Sequence, residues 1–270
     1  MADRPMIELM EQEYRTVRGL CDELDPDDWG LPTDCDGWTV QDQVSHLAGL
    51  EGLLLGREQP DHEPPDAPHV HNDVGRLNEM QVDYRRSWPP EDVLAELDDN
   101  TTERLEALRA LDDEQWAAET FTVTGPATHD HALRLRIFDW YGHEQDIRRA
   151  TGRPGHLDGP VAAKTAEVFY DALGFVLVKR AGAADGTTFL VEVTGANGRT
   201  VPLVVRDGRG TVSDDVPSDP DASLTLDFEA LLLRGYGRRS AEELLEAGRA
   251  ELGGDTDLAR RFLDGLAVTI

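Results

Sequence analysis

The apolar residues of this chain follow two different spacings, and that switch constrains its fold more than any other feature. Through most of the first 150 residues they recur every three to four positions, in stretches closed by Pro, Gly and Asp, as amphipathic helices require. Further on they alternate. Thr188 to Thr194 and Thr200 to Val205 are rich in β-branched residues and flank Ala196-Asn197-Gly198, which reads as a hairpin turn. Helices first and strands later predict an α+β chain of two domains, 1–155 and 160–270, joined through GRPGHLDGP at 152–160.

In the first domain the spacing predicts helices over Met6–Leu24, Val40–Gly56, 74–87, 91–110 and 130–150. Thr39 followed by Asp42 forms a carboxylate variant of the capping box at the start of the second. Residues 59 to 73, dominated by Pro, Asp and His, are predicted to be a loop. Four long helices with short extras predict a four-helix bundle. In the second domain a helix over 160–182 precedes the hairpin. A strand at 222–226, a helix at 228–234, a short strand at 250–252 and a terminal helix follow.

Charge narrows the partners. Against 26 basic residues stand 54 acidic ones, for a net charge of −28, a field that repels nucleic acid and anionic membranes. The basic residues are arginines except for Lys164 and Lys179, a bias that fits GC-rich coding and a salt-tolerant host. The first residues, MADRPMIELMEQEY, lack the pattern of a signal peptide, and no apolar run approaches the roughly 20 residues that span a bilayer. Two cysteines, Cys21 and Cys35, make no disulfide framework. A cytoplasmic location is expected.

Chemistry concentrates on the helix at 130–150. At about 100° per residue, Asp139, His143 and Asp146 share one stripe, while Ile137, Phe138, Trp140, Tyr141 and Ile147 fill the other faces. Such a helix is buried, and a buried stripe of carboxylate and imidazole must be paired or bound to metal. Asp139 and His143 lie one turn apart, and His46 sits at the edge of the apolar arc of the second helix. Two nitrogens and one oxygen with an open fourth position suit a catalytic zinc-type centre. From spacing alone, a satisfied core histidine at 46 and an ordinary Asp139–His143 hydrogen bond are the better reading. His62, His69 and His71 are expected in a solvated loop, His129 and His131 at a helix start, and Cys35 in a turn.

Two segments extend this reading. CDGWTVQDQVSHLAG (35–49) and RIFDWYGHEQDIRRATGRPG (136–155) resemble the maleylpyruvate isomerase N-terminal family, one of the DinB-like metal-binding bundles. The stretch from Ala222 to Leu263 resembles the small sterol-carrier-like α+β domain found behind such bundles. The resemblance implies a divalent metal, commonly zinc, on His46, Asp139 and His143. The best-known members carry glutamate where this chain has Asp139, so the shorter arm bears on the position and choice of metal. It also implies mycothiol, a low-molecular-weight thiol of actinobacteria, as co-substrate, and hence an isomerase or S-transferase acting on a small electrophile. Arg238, in the YGRR turn, would be a catalytic anion clamp, and Asp146 and Glu144 would orient an imidazole. The alternatives are a small-molecule-binding or stress-response protein with a structural metal site, and a metal-hydroxide hydrolase.

Overall fold

Pro5 opens helix α1 (Pro5–Asp22) at a position where its missing N–H has no helical partner to lose. Met6, Met10, Val17 and Leu20 form its buried face, together with Glu13. The computed structural model describes residues 4–122 and 125–269. Contacts divide the chain into two units, one ending at Gly155 and the other spanning His156–Thr269.

In the first unit, Thr39 caps α2 (Val40–Leu54) through a complete capping box. Its side chain accepts from the Asp42 N–H, and the Asp42 carboxylate accepts from the Thr39 N–H. After the Pro-rich loop, Asn72 caps α3 (Asp73–Arg85), and Pro90 begins α4 (Pro90–Ala110). A single-turn helix α5 (Asp113–Ala117) and two-residue strands β1 (Glu119–Thr120) and β2 (Ala127–Thr128) lead into α6 (His129–Ala150). Helix α2 packs on α3, α4 and α6, while α1 packs on α4 and α6, so four long helices enclose one core. At its centre Trp140, Tyr141, Leu47, Leu97 and Ile137 are fully buried. Helix α6 ends at Gly152, whose φ of +65° continues the chain in the left-handed region.

The second unit is α+β. Helix α7 (Gly159–Phe175) runs on into a wide π-turn at Val176–Arg180, so the expected 160–182 helix is α-helical only to Phe175. Strands β3 (Thr188–Thr194), β4 (Arg199–Arg206), β5 (Arg209–Val212), β6 (Ala222–Asp227) and β7 (Ala250–Gly254) form a sheet in the order β5-β4-β3-β6-β7. Only β3 and β6 pair in parallel. The β3–β4 turn places Asn197 at φ +52°, as a tight hairpin needs. Helices α8 (Phe228–Gly235) and α10 (Thr256–Asp264) pack on the sheet, and α9 (Ala241–Glu246), capped by Ser240, lies between them in sequence. Strand β5 escapes a reading of period because its four residues include a glycine and only one apolar side chain.

Candidate metal centre

Helices α2 and α6 bring His46, Asp139 and His143 together. Their nearest ligand atoms all lie within 4.8 Å of one another. His46 Nε2 stands 3.3 Å from Asp139 Oδ2, and His143 Nε2 stands 3.5 Å from Asp139 Oδ1. Both imidazoles are buried, whereas the Asp139 side chain is 32 % exposed, which leaves the centre an open side.

A chain of hydrogen bonds fixes which His143 nitrogen faces the centre. Thr33 Oγ1 donates to the Trp38 carbonyl at 2.9 Å, so it accepts from Gln43 Nε2 at 2.6 Å. That orientation turns Gln43 Oε1 toward His143 Nδ1, and the two are in close contact. Gln43 thus engages His143 through Nδ1, and Nε2 is the nitrogen that faces the Asp139 carboxylate. The donor set of two imidazoles and one carboxylate, with its nearest atoms within 4.8 Å of one another, fits a zinc-like ion. The sequence reading had Asp146 and Glu144 orienting an imidazole. The nearest partner of His143 Nδ1 is Gln43. Asp146 lies 4.0 Å from His143 Nδ1 and is held by Arg149 at 2.5 Å, and Glu144 turns to Arg148.

Electrostatics prepare two of these groups, His46 and Asp139. Burial pushes His46 below the usual histidine range, against the pull of Asp139, so its imidazole is neutral at neutral pH and able to ligate. Burial alone would raise the Asp139 carboxyl. His46, Arg136 and His143 together outweigh it and hold that group well below the carboxylate range. Arg136 Nη1 donates to Asp139 Oδ2 at 2.6 Å and its other nitrogens reach Glu51, so the carboxylate is oriented as well as charged.

Trp38 closes one side of the centre. Its ring stacks on His143 at 5.8 Å between centroids and tilts against His46 at 5.3 Å. Its indole N–H donates to Glu79 Oε2 at 2.9 Å, and the same oxygen pairs with His69 Nε2 at 2.9 Å. His62 pairs with Asp83 at 2.7 Å, so the loop expected to be solvated is instead tied to α3 by two of its histidines. Gly37, at φ +79°, is where the turn passes His69. A Cβ there would lie 2.4 Å from the imidazole.

Arg238 belongs to the second unit, where its backbone N–H donates to the Leu233 carbonyl at 2.8 Å and its guanidinium to the Tyr236 carbonyl at 3.2 Å. His129 stacks on Trp116 at 5.4 Å. Cys21 is buried and its thiol is pushed up to about 12, mainly by desolvation, while Cys35 sits half-buried in the turn before α2. Gln43 and Arg136 each lie three residues before a ligand candidate on its own helix. That spacing is a usable signal for Arg136, which bonds Asp139, but not for Gln43, which acts on His143 of the other helix.

Comparison with known proteins agrees with this architecture. Residues 10–148, just over half of the chain, match the mycothiol maleylpyruvate isomerase N-terminal domain, and residues 178–264 match the SCP-2 sterol transfer family. Among solved structures, a mycothiol-dependent maleylpyruvate isomerase superposes with a TM-score of 0.55 at 16% identity, covering 88% of this chain and 90% of that one. A variant of that enzyme with alanine in place of a histidine gives a TM-score of 0.52 at 16% identity, covering 87% and 89%. Among curated proteins, none matches the sequence. No described helix is long and apolar enough to cross a membrane. By its matched bundle, the chain belongs to the mycothiol maleylpyruvate isomerase N-terminal domain family.

Proposed function

We propose that the bundle holds one divalent cation, zinc by the chemistry of its donors, on His46, Asp139 and His143, and with mycothiol catalyses isomerisation of, or thiol transfer to, a small electrophile. The observation that carries the reading is the convergence of His46, Asp139 and His143, whose nearest ligand atoms lie within 4.8 Å of one another. Family membership and the similarity to a mycothiol-dependent maleylpyruvate isomerase support the choice of thiol. A bound cation would supply Lewis acidity, lowering the pKa of a coordinated thiol from its free value of about 8.5 so that thiolate is available near neutral pH.

The chain's own residues serve that chemistry in defined ways. Gln43 holds the His143 ring at Nδ1, Arg136 aims the Asp139 carboxylate, and the Trp38 ring excludes water from one side of both imidazoles. Neither cysteine competes as nucleophile. Burial keeps the Cys21 thiol protonated, and Cys35 is outside the ligand set. The sulfur must then be imported.

The match of residues 178–264 to the SCP-2 sterol transfer family favours a second reading, binding of an apolar small molecule beside a structural metal. Calorimetric titration of metal-loaded protein with mycothiol separates the two. Saturable binding at one thiol per chain, lost on chelation, is expected. Absence of thiol binding to fully loaded protein would leave ligand binding or metal-assisted hydrolysis as the better account.

A further inference from the structure

The segment that joins α2 to α3 forms no helix or strand over 59–72, yet it is pinned down at two points. Prolines at 60, 64, 65 and 68 fix φ along it and stiffen it into a strap. His62 ties it to Asp83 at 2.7 Å, and His69 ties it to Glu79 at 2.9 Å. Connections longer than about 12–15 residues without secondary structure are uncommon in compact folds and usually serve a site.

Glu79 is where this strap meets the wall of the metal centre. Its side chain is only 2 % exposed, and its Oε2 accepts from Trp38 Nε1 at 2.9 Å while also facing His69 Nε2. Arg86 Nη1 takes the other oxygen at 2.8 Å and reaches Asp83 at 2.7 Å, and Arg86 Nε lies 3.3 Å from Asp42. Burial would raise the Glu79 carboxyl. Hydrogen bonds from His69 and Trp38 and the charge of Arg86 outweigh it and hold the group below the usual carboxylate range. An ionised carboxylate only accepts, so His69 donates through Nε2. The indole N–H is the single polar handle of Trp38, and the face of that ring lies against both imidazoles. The His69 ring also packs on Gly37 so closely that a Cβ there has no room. The strap therefore grips the turn before α2 twice, at the Gly37 backbone and, through Glu79, at the Trp38 indole.

We propose that His69 is a positioning residue, acting through Glu79 to hold the Trp38 ring against His46 and His143 and so to leave the centre open only on the Asp139 side. Each link of this chain is a hydrogen bond to a charged acceptor, the stronger kind, and the acceptor is shared by strap and wall. The ring moves aside when the strap lets go. The linkage from His69 to Trp38 needs no cation. Its consequence, a metal shielded on the Trp38 side, rests on the function proposed above.

Solvent exchange of the Trp38 indole proton, followed by NMR in the full-length protein and assigned by its loss in Trp38→Phe, reads the linkage directly. In chelator-treated samples it is expected to exchange roughly tenfold or more faster in His69→Ala than in wild type, with the backbone amides of α6 as the internal reference. His69→Gln should restore slow exchange, because its side-chain amide puts a donor at the same number of bonds from the backbone. In zinc-loaded samples His69→Ala should give up its metal to a chelator roughly tenfold faster than wild type at unchanged stoichiometry, and His69→Gln at close to the wild-type rate. Equal indole exchange in wild type and His69→Ala, an equal acceleration of the α6 amides, no recovery in His69→Gln, or equal rates of metal loss would overturn the proposal. A wild type that took up no zinc would instead count against the function proposed above, and the indole exchange would still decide the role of His69.

Discussion

Glu13, on the buried face of α1, shows how single residues in this bundle carry their own pH dependence. Burial raises its carboxyl well above the usual range, and the neighbouring Glu144 raises it further, against a smaller opposing pull from Arg148. Two carboxylates this close in a dry core cannot both ionise, so Glu13 is protonated where an exposed glutamate would be charged. For a raised acid, stability is full below the unfolded pKa of about 4.3 and is lost as pH climbs through the folded value. Glu13→Gln keeps a neutral group of the same shape. It should therefore melt above wild type at pH 8 by an amount worth roughly 1 kcal/mol or more, and the gap should close near pH 4. A variant less stable than wild type at pH 8 in a thermal melt would show that the ionised pair is stabilising. Neither the pairing nor its sign was legible from sequence. Glu13 looks like any helix glutamate until α1 and α6 are packed together.

At the level of elements, α2 depends on its first turn. Thr39 and Asp42 exchange two hydrogen bonds there, and the helix they start carries His46 two turns later. Thr39→Ala should lower stability by about 1 kcal/mol in denaturant unfolding. An unchanged midpoint would mean that tertiary packing alone holds the helix end. This element was readable in advance, because a cap, a carboxylate three residues on and an apolar arc all lie within one short segment. The shared stripe of Asp139 and His143 on α6 was readable for the same reason. Gln43 was not, since an isolated glutamine on a helix is by default a surface residue. Its role comes from Thr33 and Trp38, which reach it only when the preceding turn folds back through the Pro32–Thr39 bridge. The loop histidines were misjudged likewise. His62 and His69 find Asp83 and Glu79 through packing of the loop on α3, which no local pattern encodes. The end of α7 was placed too far on, because the apolar spacing continues unbroken into the π-turn at Val176–Arg180.

For the whole molecule, the contacts fall into two units that meet between Gly155 and His156, next to a Gly- and Pro-containing segment. Brief digestion in native buffer should cut first within residues 152–158 and release a helical fragment and an α+β fragment. First cleavage inside α6 or β3 would mean that the units are not separately cooperative. The switch of hydrophobic period made the α+β class legible, because helices and strands are sorted along the chain and not interleaved. The proposed function turns on a bound metal. The most direct test is elemental analysis of purified wild type, His46→Ala and His143→Ala, each shown to be folded by circular dichroism. One divalent cation per chain is expected in wild type, with most of it missing from both variants. Near-full occupancy in both variants would contradict the assignment of His46, Asp139 and His143 as the metal centre.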